Sequence, residues 1–185
     1  FSVRGIVRSG LVTTTVGVLW LLATVDPELN ETGFALAMAV LGAGMGLLAS
    51  QLGNVVQSSV DSSGRGEAGG LQYTGQQLGS SLGVALIGAI VISGLAGVFI
   101  SQVKNDSRIS AEIQSQVTVA VEPGIDFLSA AQVETIATDA GLDAATTAAI
   151  VEDYSTAQLQ ALKAGLLGAA LLALGSLAFT RDLTH

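Results

Sequence analysis

The chain has 185 residues, of which 50% are hydrophobic and 12% charged, with a formal net charge of −8 and no cysteine. A soluble domain carries about 25% charged residues, so this composition is that of a membrane protein. An acidic chain lacks the basic face that nucleic acid requires, and without cysteine there are no disulfides and no thiolate sites for zinc or iron–sulfur clusters.

Four candidate membrane spans follow one another along the chain. The first is Ile6–Val25, with Arg8 near its start and Asp26-Pro27 as a stop. Thr13, Thr14 and Thr15 shorten its clean apolar part. Two arginines before an apolar stretch also suit a signal peptide, but no A-x-A cleavage site follows and further spans do, which favours a membrane anchor. The chain begins at Phe1, and we expect it to be part of something longer. Trp20 reads as an interfacial or packing aromatic.

The second span is Gly33–Val56. Gly42 and Gly46 form a G-x-x-x-G unit within it, a spacing that puts both on one helix face for a neighbouring helix to approach. The same GAGMG run has no βαβ context and is not a dinucleotide fingerprint. The third span is Leu78–Val103, and residues 78–100 contain no charge at all. About 20 apolar residues in an α-helix cross a hydrocarbon core roughly 30 Å thick. Gly75, Gly79 and Gly83 continue the four-residue repeat here. The 23 glycines of the chain stand beside only 2 prolines and mark helices that pack closely in lipid, whereas a flexible linker would be glycine-rich and polar.

Residues 104–158 form the one plausible polar segment. Ile109, Ile113 and Val117 recur at helical spacing, and Glu122-Pro123-Gly124 breaks that helix. Ser129 with Gln132 predicts a capping box, starting a helix that Gly141 ends. Asp143 caps another helix, which is expected to run through Tyr154 into the fourth span, Leu159–Thr180, ended by Arg181-Asp182. A segment of this size has a small core and rests on the membrane part. The domain reading is therefore 1–103, three spans with short loops; 104–158, a helical loop; and 159–185, the last span and tail.

Arg4, Arg8, Arg65 and Arg181 all fall on one side if four helices cross in succession, and the positive-inside rule makes that side cytoplasmic. Asp26, Glu28, Glu31 and residues 104–158 then lie outside. Lys163, one turn inside the fourth span, snorkels to the interface. The sequons at Asn30 and Asn105 occur often by chance. His185, the single histidine, carries no assignment.

The polar residues near the spans are the site candidates. Gln51 and Asn54 sit where the second span ends, and Gln76 and Gln77 where the third begins. Neutral amides at a membrane boundary either bond across helices or line a water-filled path. Packing is the commoner role, both for these and for Gly42, Gly46, Gly75, Gly79 and Gly83; the functional reading puts the four amides on a translocation path. No Asp or Glu lies inside the four spans, so a proton-coupling carboxylate must come from elsewhere in a parent protein. No nucleotide loop, metal-ligand cluster or nucleophile–base pair is present. The chain reads as a non-enzyme without cofactor or metal.

The stretch Gly66–Ile90, GEAGGLQYTGQQLGSSLGVALIGAI, resembles a recurrent stretch of the major facilitator superfamily, in its fourteen-helix drug:proton antiporter branch (EmrB/QacA type). Gly70, Leu71, Gln72, Thr74, Gln77, Leu78, Gly79, Leu82 and Gly83 match the pattern that opens the penultimate helix there. Phe127, Gln132-Val133-Glu134, Ala140-Gly141, Tyr154 and Ala157-Gln158-Leu159 are similar to the long loop before the last helix of actinobacterial members. Many members have Arg where this chain has Gln76, and often Asn where it has Tyr73. The resemblance implies helices eleven to fourteen of a multidrug exporter in a bacterial plasma membrane, working by alternating access on a proton gradient. Its partners would be membrane lipid, the remaining helices of the transporter and a small amphipathic substrate, with no nucleic acid. The rival expectation is a four-helix anchor that displays residues 104–158 as a sensing or binding module.

Overall fold

The computed structural model describes residues 3–28, 30–122 and 124–180. Pro123, Arg181, Asp182 and His185 lie outside the described residues. The element order is α1 (Val3–Thr24), α2 (Glu31–Ser58), α3 (Arg65–Asn105), α4 (Ala111–Val121), α5 (Ala130–Asp139) and α6 (Ala144–Phe179). There is no strand among the described residues. α1, α2, α3 and α6 are long and apolar enough to cross a bilayer, so the all-α membrane class holds. The shortest, α1 with 22 residues, reaches about 33 Å at 1.5 Å per residue, close to one hydrocarbon core.

α3 and α6 are longer than a crossing requires, with 41 and 36 residues. The hydropathy pattern starts these spans at Leu78 and Leu159, whereas the helices start at Arg65 and Ala144. The difference is physical. The residues before each span are polar or small, which ends an apolar run, but Gln, Glu, Ala and Leu remain good helix formers. α6 does run unbroken through Tyr154, as expected from the sequence.

The chain divides into two compact units, residues 1–87 with 166–185, and residues 88–165. In the first unit α1 and α2 approach with almost nothing between their backbones. A Cβ on Gly17 would lie 2.7 Å from the Leu41 backbone, and one on Gly44 would lie 2.5 Å from the Thr14 nitrogen. Gly10 faces Leu48 at 3.0 Å in the same way. Lipid tails are as apolar as leucine, so helices in a bilayer gain little by hiding leucine from them. Dispersion between closely packed backbones does the holding, and only glycine allows that distance. Gly42 and Gly46 flank the contact without entering it; a Cβ on either meets nothing within 4 Å.

Arg8 and Thr180 meet in the same unit, where the Arg8 Nε–H donates to Thr180 Oγ1 at 3.0 Å. That contact puts the start of α1 beside the end of α6, as it must if both ends share a membrane face. Leu71, Leu82 and Val84 are 74%, 70% and 74% exposed. In water such a face would drive aggregation; in lipid it is solvated.

The second unit is built around side chains. Leu95, Phe99 and Val103 on α3 recur every four residues, and Ile150, Tyr154, Ala157 and Ala161 on α6 follow the matching rhythm. Phe99 and Tyr154 meet edge to face, ring centroids 5.3 Å apart. Ile109 belongs to this core but precedes α4, because Ser110 is the N-cap. Gln114 Nε2 then donates to the Ile109 and Asp106 carbonyls. Ser129 and Gln132 form the expected capping box. α5 ends in a Schellman motif, with Leu142 N–H on Ala137 O and Gly141 N–H on Thr138 O. Gly141 takes φ +79°, where a Cβ would be strained. Asp143 Oδ1 accepts from the Ala145 and Thr146 amides to cap α6. Gly124, φ +132°, follows the break after α4.

Tyr154 closes the unit. Its hydroxyl donates to Asp126 O and accepts from Leu128 N–H, both at 2.8 Å, and Gln158 Nε2 donates to Leu128 O. The segment between α4 and α5 is thereby fastened to α6.

Gly44→Ala is expected to destabilise the lipid-embedded protein by about 1–3 kcal/mol through overpacking, while Gly46→Ala is neutral or gains up to about 1 kcal/mol of helix propensity; thermal unfolding in nanodiscs compares the pair. Tyr154→Phe is expected to cost about 1–3 kcal/mol by stranding a carbonyl and an amide. Hydrogen exchange should then show the Leu128 amide losing its protection before those of α6.

Candidate functional site

The first unit gathers part of the expected polar site and leaves part of it apart. On α2, the Asn54 Nδ2–H donates to Gln51 Oε1 and the Gln51 Nε2–H to Ser50 Oγ, both at 3.4 Å. These are long, weak bonds along one helix face, so the amides remain available to water or to another helix. Asn54, Gln57 and Ser58 line one open groove with Val3 and Arg65. The groove thus joins the end of α2 to the start of α3 and has both Asn54 and Arg65 in its lining, which the sequence pattern did not single out.

Gln76 and Gln77 stand exposed on α3. They sit on a continuous helix, one turn after Thr74, whose hydroxyl donates back to Gly70 O. Gly75, Gly79 and Gly83 share this stretch, and a Cβ at any of them meets nothing within 4 Å. The residues expected to pack glycine-to-helix are therefore open in this chain, and the close approach falls on Gly10, Gly17 and Gly44. The signal that separates the two groups is absent from spacing alone, because Gly42-x-Gly44-x-Gly46 offers two candidate registers.

The second unit carries a charge cluster that sequence reading missed. Arg108 follows α3 and makes two contacts at once. Its Nε–H and NH2 groups hold Asp106, at 2.9 and 2.6 Å to Oδ2, and its NH1 reaches Glu152 Oε2 on α6 at 2.7 Å. Forty-four residues separate Arg108 from Glu152, beyond the reach of a local motif. The guanidinium holds the Asp106 carboxyl below its ordinary range. Hydrogen bonds from Thr146 do the same for Asp143.

Asp153, beside Glu152, is different. It lies on the part of α6 before the apolar span, is 7% exposed, and its Oδ2 has no hydrogen-bond partner. Burial raises its pKa, and the Asp106 charge adds to the effect. A carboxyl placed so takes up a proton at a higher pH than a solvated one. Among the described residues, no group of three or more His, Asp or Glu side chains is placed to hold a metal ion.

An all-helical membrane protein with a small helical unit is therefore the class defined by the fold. Against known proteins, the sequence is 34% identical over 97 residues to a protein of Streptomyces coelicolor described as a probable actinorhodin transporter. The matched stretch is 51% of this chain and 17% of that protein, so the chain spans well under a fifth of its relative. No protein-family model matches the chain, and no solved structure matches it. The likeness is to a bacterial transporter and fits the transporter-type reading of the sequence.

The buried Asp153 has a testable consequence. A carboxyl whose folded pKa is raised binds more protons in the folded than in the unfolded state, so its contribution to stability falls as pH rises above the ordinary aspartate value. Asp153→Asn is expected to raise the thermal midpoint at neutral pH and to flatten the gain that wild type shows on acidification toward 3.8; circular dichroism melts across that range measure both. Asp106 and Asp143, held low, lose their contribution only as pH falls further.

Proposed function

We propose that this chain is a segment of a secondary active transporter of the major facilitator type, in the fourteen-helix drug:proton antiporter branch, exporting small amphipathic compounds across a bacterial plasma membrane. The observation that carries the reading is the combination of four membrane-length apolar helices with likeness to a transporter over half the chain. The contact of Arg8 with Thr180 supports both ends lying on one membrane face, and the arginine distribution makes that face cytoplasmic.

Export in this reading follows alternating access around a midplane site. The open glycine face at Gly75, Gly79 and Gly83, and that at Gly42 and Gly46, receive the remaining helices of the parent transporter. Gln51, Asn54, Gln76 and Gln77 touch the path or its inner gate, and the groove at Asn54 and Arg65 supplies polar surface at that end. The proton-coupling carboxylate belongs to the rest of the transporter, because the four apolar spans contain none.

A dye-efflux assay on cells making the full-length protein tests this. Expression should lower steady-state dye content several-fold, an uncoupler should abolish the difference, and deletion should restore retention. Dye content that is the same with and without the protein rejects export; efflux that survives the uncoupler rejects proton coupling.

A further inference from the structure

The second unit carries a half-open apolar pocket that its own side chains do not fill. The cavity measures about 350 Å³ and is bounded by α3, α4, α5, α6 and the segment after α4, through Phe99, Val117, Val133, Tyr154 and Ile125 among others. That volume lies within the range of small-molecule sites, roughly 300–1,000 Å³. Four small residues stand along its wall, Ala120, Gly124, Ala137 and Ala140, at places where leucine or isoleucine would close it. A lining this apolar holds water poorly.

The walls are fixed. Tyr154 and Gln158 pin the 126–128 backbone, the capping box fixes the start of α5, and the Schellman turn fixes its end. Collapse onto the void would break these bonds. Access is present at Ile136, a lining residue that is 57% exposed. The polar part of the lining comes from Gln116, Asp126 and Tyr154, and the Tyr154 hydroxyl is already bonded twice. Charge narrows the ligand. Between residues 104 and 158 nine carboxylates stand against two cations, Lys104 and Arg108, a field that repels anions.

We propose that this cavity binds a small, largely apolar organic molecule that bears no negative charge. Its described lining lies within residues 99–154, and the proposal does not depend on the transport reading.

Photolabelling tests it with one apolar body in three charge states: benzophenone, its trimethylammonium derivative and benzoylbenzoate. The full-length protein is labelled in lipid nanodiscs and the peptides are mapped by mass spectrometry. Benzophenone and the cation are expected to label residues 113–140 saturably, and benzoylbenzoate at least about tenfold less at equal concentration. Unlabelled naphthalene is expected to displace this label and to leave the non-saturating label of the lipid-facing spans. Ala137→Phe with Ala140→Leu, which fills the space, is expected to remove about nine-tenths of the 113–140 label while helical circular dichroism is kept. If that variant loses helicity, saturation and displacement in wild type decide the matter. Label at 113–140 that does not saturate, that naphthalene leaves in place, or that benzoylbenzoate matches overturns the proposal.

Discussion

Hydrocarbon offers a peptide group no hydrogen bond, and from that constraint most of this molecule follows. A backbone crossing lipid must satisfy its own amides and carbonyls, which in an open chain means helices. The four long helices meet that demand with residues so apolar that their outward faces, Leu71, Leu82 and Val84 among them, are well exposed in the protein itself. The same solvent removes the usual reward for burying leucine. What remains is contact, and contact is greatest where side chains are smallest. Gly10, Gly17 and Gly44 bring α1 and α2 together at backbone distance.

The second unit obeys a different balance. Its core mixes branched aliphatic and aromatic side chains, and its polar groups are bonded with care. The Tyr154 hydroxyl, buried at 1% exposure, would be costly without partners; it has two. Arg108 joins the residues after α3 to α6 through carboxylates on both sides. With Arg108 and Glu152 exposed, their pair adds little stability, and its value lies in fixing which residues meet. Thr147 and Asp153 are exceptions, each with a buried side-chain oxygen left unpaired.

Much of this was legible in the sequence because the signals are local. Apolar runs gave the four long helices, and Ser129, Gln132, Gly141 and Asp143 marked helix ends through rules that act over a few residues. The helix start at Arg65 was missed because hydropathy reports on solvent, not on backbone conformation, whereas that at Ala144 was marked by the Asp143 cap. Which glycines pack within this chain was not legible for another reason. Gly42, Gly44 and Gly46 differ only in which way they point relative to α1, and that depends on residues across the interface. The pairing of Arg108 with Glu152 and of Tyr154 with the 126–128 backbone depends likewise on where α6 lies. Of the candidate site, Gln51 and Asn54 meet on α2, whereas Gln76 and Gln77 stand exposed on α3.

The link between Arg8 and Thr180 bears on how the protein is made. A ribosome adds roughly 5–20 residues per second, so the 172 positions between these partners represent on the order of 10 s of synthesis. Throughout that interval α1 is without α6 against it. The guanidinium near its start gains its hydroxyl partner only when the final turn emerges. Shortening the chain before that turn would leave the Arg8 guanidinium without this hydroxyl.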